Sequence, residues 1–184
     1  MAMTPVEPFA LTIQWTEPPP VLDWSAVRIW ELKELDYDFQ GAVVDALEAL
    51  GRPDFCIDWA GVRLTLCWDD LAINLSDLIQ FGRWLIWPTG ARKFGIYEQG
   101  FDVTFNTVLD GEDVTLDAEW LNAYRVPVES LAPRVIVSRE VAIRQVGGLL
   151  GQIERLLLAD HKVYAPLSFV CRFLSASGDG PEQR

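Results

Sequence analysis

DFCIDWAGVRLTLCWDDLAINLSDLIQFGRWLIW, residues 54–87, decides how this chain folds. Ala60-Gly61 reads as a two-residue hairpin turn. Strand 54–59 then pairs with strand 62–68, so that Phe55 faces Leu66, Ile57 faces Leu64 and Trp59 faces Val62. On the other face Asp58 meets Arg63 and Cys56 meets Thr65, a favourable cross-strand set. Asp69-Asp70 reads as a second tight turn, after which Trp68 faces Leu71, Leu66 faces Ile73 and Leu64 faces Leu75. A single register serves three strands, and a one-residue slip would send every apolar side chain to the wrong face. The stretch 54–75 is therefore expected to be a meander. Asp69 and Asp70, adjacent at a solvated turn, lack the differing environments that a catalytic carboxylate pair needs.

Ser76 stands where an N-cap belongs, with Asp77 in the first turn. The helix it opens is expected to run to about Ile86, with Pro88 beyond. Leu78, Ile79, Gly82, Leu85 and Ile86 share its core face. Phe81 and Trp84 lie off that stripe, and the reading divides between burial under another segment and an aromatic contact patch beside Arg83.

Outward from there, FALTIQW (9–15) alternates as a strand and EPPP (17–20) breaks regular structure. AVRIWEL (26–32) is a weaker strand. FQGAVVDALEALG, from Phe39, sets Val43, Leu47 and Leu50 on one helical face, and Gly51 and Pro53 stop it. FGIYE (94–98) is a short strand. FDVTFNTVLDGEDVTLDAEW, residues 101–120, reads as a long hairpin about Asp110-Gly111. Phe101, Val103 and Phe105 then face Trp120, Ala118 and Leu116, a core face. The opposite face sets Asp102 against Glu119, Thr104 against Asp117 and Val108 against Asp113. Carboxylates opposed in this way repel one another, so this acidic face is either solvated protection for a sheet edge or a docking surface for Lys and Arg side chains. RVIV (134–137) is a strand, and Ser138 caps a last long helix with Val146, Leu149, Leu150, Ile153, Leu156 and Leu157 on its core stripe. Gly147, Gly148 and Gly151 on that helix cost roughly 1 kcal/mol each relative to alanine. They are expected to admit a second backbone, within the fold or across a homodimer. Residues 175–184 (SASGDGPEQR) read as a disordered tail behind a single α+β domain of residues 1–174, in which a largely antiparallel sheet is packed by about three helices.

Composition narrows the function. With 184 residues, half of them apolar and eight of them Trp, the chain can bury a substantial core. Its net charge of −12 repels nucleic acid and anionic membrane surfaces and suits a basic protein partner. Residues 1–132 hold 22 acids and 8 bases while 133–184 hold 5 acids and 7 bases, so the acidity belongs to the first two thirds. Cys56, Cys67 and Cys171 form no CxxC, and the lone His161 cannot anchor a metal cluster. A reducing cytoplasm is expected. MAMTPVEPFAL has neither the basic start nor the long apolar segment of a signal peptide, and no apolar run approaches a membrane span. GxSxG, P-loop, GxGxxG and HExxH patterns are absent. LDGEDV is only a fragment of a calcium loop. The sequence therefore implies no catalytic residue, metal or cofactor.

VRLTLCWDDLAINLSDLIQFGRWL, about a seventh of the chain, resembles the strand–turn–strand–helix arrangement of several immunity proteins that bacteria pair with secreted toxins. The resemblance implies a cytosolic toxin-blocking role and transfers no individual residue. On the chain's own residues, partner contact is expected at Asp102, Asp113, Asp117 and Glu119, with Phe81 and Trp84 as anchors. A small enzyme or ligand-binding domain with a Trp-lined pocket between sheet and helices is the alternative, and a subunit of a larger assembly is a third.

Overall fold

The computed structural model describes residues 8–15, 30–32, 37–98, 100–159 and 162–178. The fold is α+β. Strand β1 (Phe9–Gln14) is followed by a short β2 (Trp30–Leu32), helix α1 (Tyr37–Ala49), strands β3 (Asp54–Trp59) and β4 (Val62–Leu66), and helix α2 (Trp68–Ile86). Strands β5 (Arg92–Glu98), β6 (Phe101–Asp110), β7 (Asp113–Ala123) and β8 (Arg134–Ser138) come next, then helix α3 (Arg139–Ala159), strand β9 (Lys162–Tyr164) and helix α4 (Ala165–Gly178). One antiparallel sheet has the order β1-β3-β4 and the other β5-β6-β7-β8, while β2 and β9 make a separate parallel pair.

The β3–β4 register is the one the sequence implies, from Phe55 opposite Leu66 to Trp59 opposite Val62, and Arg63 grips both oxygens of Asp58 at 2.7 Å. Ala60 and Gly61 both have positive φ, 49° and 87°, the backbone a tight hairpin of this twist demands. The expected third strand is not there. Helix α2 begins at Trp68, with Cys67 as its N-cap, and Asp69 and Asp70 form its first turn. The Asp70 carboxylate accepts the Cys67 backbone N–H at 2.8 Å, the return half of a capping box. Ser76 is an interior residue of the helix. Leu71 and Leu75 are buried as expected, but Ile73 is 43% exposed and Ala72 fully enclosed, as a helical period requires.

The hairpin β6–β7 turns at Gly111-Glu112, one residue later than expected. Val103 thus faces Trp120, Phe105 faces Ala118 and Asp110 faces Asp113, and a bulge between Asp102 and Val103 sets Phe101 against Ala123. Moving a turn by one residue moves the register by two, so each side chain keeps its face of the sheet and changes only its partner.

A row of aromatic rings joins the layers. Trp84 stacks on Phe81, Phe81 on Phe94 at 4.4 Å, Phe94 on Phe105 at 4.9 Å, and Phe105 leans on Trp59 at 5.2 Å, which meets Phe9 edge-on. The row passes from α2 through β5 and β6 into β3 and β1, so one core serves both sheets. Phe81 and Trp84, expected as possible contact anchors, are 0% and 5% exposed. They are core residues, because the flank of α2 they occupy is roofed by β5 and the Gly90 loop; the Trp84 indole N–H donates to the Gly90 carbonyl at 3.0 Å.

Helix α3 is capped as the sequence implies, with the Val141 N–H donating to Ser138 Oγ at 3.2 Å. Small residues let α4 approach. A Cβ on Gly82 would lie 2.9 Å from Val170, and one on Gly147 3.1 Å from Leu174, whereas Gly148 faces open space. Helix α4 reaches Gly178. His161 and residues 179–184 lie outside the described residues. No helix among those described is long and apolar enough to cross a membrane.

Candidate functional site

The four expected contact acids have separate fates. Asp117 is bound by Arg134 of β8, and Asn106 donates to Glu119 at 3.0 Å. Asp102 stands opposite Asn122 and Tyr97 and is half-buried, its Oδ1 enclosed without a hydrogen-bond partner. Only Asp113 is an open carboxylate. It faces Asp110 at the hairpin tip, with Glu112 between them in the turn, and all three are exposed. Of the acidic face expected from the sequence, only Asp117 is charge-paired, and a two-residue shift sets Thr104 and Asn106, not Asp102 and Thr104, against Glu119 and Asp117. At the turn end of the hairpin lies an acidic tip of three residues. The ion pairs Arg52–Glu48, Arg63–Asp58 and Arg134–Asp117 all lie elsewhere.

A cleft of about 800 Å³ opens on the other side of the molecule, between β4 and the end of β7. Consecutive residues Arg63 to Cys67 form one wall and Asn122 to Val126 the other, with Phe101 at the floor. Its lining contains no tryptophan, and it lies between strands, so it is not the Trp-lined pocket between sheet and helices that the alternative reading expects.

At one end of the cleft Cys67, Asp70 and Tyr124 meet. Asp70 is 1% exposed, and its Oδ2 accepts from the Cys67 N–H at 2.8 Å, the Cys67 thiol at 3.0 Å and the Tyr124 hydroxyl at 3.0 Å. Tyr124 is held in the left-handed region at φ 50°, unusual for a bulky side chain. Its N–H donates to the Gly100 carbonyl at 2.7 Å. Gly100 leaves room for the ring, since a Cβ there would lie 2.9 Å from it.

The surroundings of this cluster disfavour the thiolate of Cys67. Desolvation, with the Asp69 and Asp70 carboxylates beside it, pushes the Cys67 thiol up to about 12, and the reactive species is the thiolate. Desolvation and the bond to Asp70 likewise push the Tyr124 phenol up. Cys67, Asp69 and Asp70 each place a potential metal-binding atom within 4.8 Å of the others, but the hydrogen bonds to Asp70 give that carboxylate a complete structural role as helix cap and loop tether.

The sequence reading missed this cluster because Cys is not a favoured N-cap, so the pattern Ser/Thr-x-x-Asp/Glu was not there to be seen. The spacing Cys67-x-x-Asp70 is the one signal that could have found it. A third surface feature lies at the end of α2. Trp87, 47% exposed at the end of α2, packs with Phe169 and Phe173 of α4. Compared with protein-family models, curated proteins and solved structures, the chain matches none.

Proposed function

We propose that this protein acts by binding and not by catalysis. In this reading it holds a basic protein partner against the β6–β7 tip, in the manner of an immunity protein blocking a bacterial toxin. The observation that carries the reading is the acidic tip, which joins no ion pair among the described residues. Asp110, Glu112 and Asp113 are gathered at the end of a hairpin whose strands run to ten and eleven residues, on a chain of net charge −12. Carboxylates opposed across a ladder destabilise the hairpin, and a cationic partner would relieve that repulsion. The raised Cys67 thiol and the three hydrogen bonds that Asp70 Oδ2 accepts support the same conclusion, because neither group at this end of the cleft is activated.

The test is a growth and binding assay. Secreted toxins encoded beside this reading frame are expressed with the native chain and with the D110N/E112Q/D113N variant. The native chain is expected to rescue growth from one of them. The variant is expected to bind that toxin about tenfold or more weakly at low salt, roughly 0.5 kcal/mol or more for each partner-facing carboxylate. The difference should shrink as ionic strength rises. No rescue, or equal affinity of the two chains at every salt concentration, overturns the proposal.

A further inference from the structure

The edge of β4 lies far from the acidic tip and is unpaired on its outer side among the described residues. Strand β4 ends the β1-β3-β4 sheet. Residues that close a two-residue turn exchange both backbone hydrogen bonds, and the pattern then alternates. Val62, Leu64 and Leu66 therefore bond to β3, while Arg63 and Thr65 turn their N–H and C=O groups outward. The same alternation on the β6–β7 hairpin makes Ala118 face outward, and its N–H does bond away from β6, to the Pro133 carbonyl at 2.8 Å. No backbone bond joins β4 to any element but β3 among the described residues.

Edge strands are normally blunted by proline, a bulge or an inward-pointing charge, and β4 has none of these. Its one charged side chain, Arg63, is tied to Asp58 across the ladder. Beside this edge lies the cleft, with residues 122–126 as its far wall. A strand residue takes up roughly 160 Å³, from a rise of about 3.3 Å, a strand spacing of about 4.8 Å and a sheet thickness of about 10 Å. A cleft of about 800 Å³ therefore holds roughly five such residues, and β4 is five residues long.

We infer that this cleft binds an extended peptide segment, which adds to β4 as the fourth strand of the β1-β3-β4 sheet. Charge defines the segment further. Arg125 lines the cleft, is exposed and joins no ion pair among the described residues, and Asp54 lines it too, at the start of β3. A complementary segment carries an acidic side chain toward Arg125 and a basic one toward Asp54. Main-chain bonds to Arg63 and Thr65 supply affinity, and these two charges supply direction and register.

The probe is an array of synthetic heptapeptides of alternating valine and threonine, with one Glu and one Lys permuted through all positions. A subset with a fixed Glu–Lys spacing is expected to bind, and Arg125→Glu should shift the preference to a different arrangement. N-methylation of two alternate backbone nitrogens that face β4 should weaken binding about tenfold or more, two lost hydrogen bonds, while methylation of the other parity should not. In the free protein the Arg63 and Thr65 amides are expected to exchange rapidly, and to slow on binding, whereas those of Leu64 and Leu66 are slow throughout. The D110N/E112Q/D113N variant should bind these peptides as the native chain does, which separates this site from the acidic tip. The inference is overturned by an array with no binders, by equal tolerance of N-methylation at both parities, or by Arg63 and Thr65 amides already protected in the free protein.

Discussion

Single residues carry the local chemistry, and Cys67 shows how little exposure alone conveys. The residue is exposed, yet its thiol donates to a carboxylate that already serves as a helix cap. Iodoacetamide is therefore expected to alkylate Cys67 at pH 8 at least about tenfold more slowly than a free cysteine, since reactivity follows the thiolate fraction. Asp70→Asn should raise that rate. The sign of the stability effect follows from the same shift. A thiol raised from 9.0 to about 12 stays protonated in the folded chain where the unfolded chain ionises. Its contribution is whole below pH 9 and is lost as pH climbs from 9 toward 12, so alkaline unfolding of Cys67→Ser should show a shallower pH dependence across that window.

At the scale of elements, the informative case is α2. Positions 71 and 75 coincide in a strand and in a helix, because four residues are two strand repeats and close to one helical turn. Leu71 and Leu75 therefore fit both readings, and only Ile73 and Ala72 distinguish them. The hairpin about Ala60-Gly61 was legible because its pairs satisfied both faces at once. Helix α2 also settles the edge of the second sheet. The Tyr97 N–H donates to Asn74 Oδ1 at 2.9 Å and Asn74 Nδ2 donates to the Asp70 carbonyl at 2.8 Å, with the Tyr97 carbonyl 3.4 Å away. A buried side-chain amide thus stands where a neighbouring strand's peptide group would be. Asn74→Ala leaves these groups without partners and is expected to cost about 1–3 kcal/mol in urea unfolding, with amide exchange at Tyr97 accelerating more than at the centre of β6.

For the whole molecule, the row of rings from Trp84 to Phe9 decides that two sheets and a helix share one core. Phe81→Ala is expected to cost about 3–5 kcal/mol in equilibrium unfolding, with both sheets losing structure in a single transition, since the row crosses between them. A variant that unfolds in two separate steps would show the sheets to be independent. The same packing separates the two proposed binding surfaces. The acidic tip lies at the turn end of the β6–β7 hairpin, and the cleft lies at the strand ends remote from it, beside Phe101 and Ala123. One hairpin thus links them, so a partner long enough to reach both could engage each without competition.

Alternation and turn chemistry in the sequence were enough to determine the α+β class, the β3–β4 register, the Ser138 cap and the inward faces of β3, β4, β6 and β7, because those depend on neighbours within a few residues. They did not determine which carboxylates remain free. That rested on where the β6–β7 turn closed, on Arg134 of β8 reaching Asp117 and on Asn106 reaching Glu119, all contacts between distant or cross-strand residues. Nor could they show that Phe81 and Trp84 are enclosed, since off-stripe aromatics are buried only when another element covers them. The cleft is tertiary in the same sense: its walls are more than fifty residues apart in the chain, and only the packing of one sheet beside the other brings Arg125 opposite the open edge of β4.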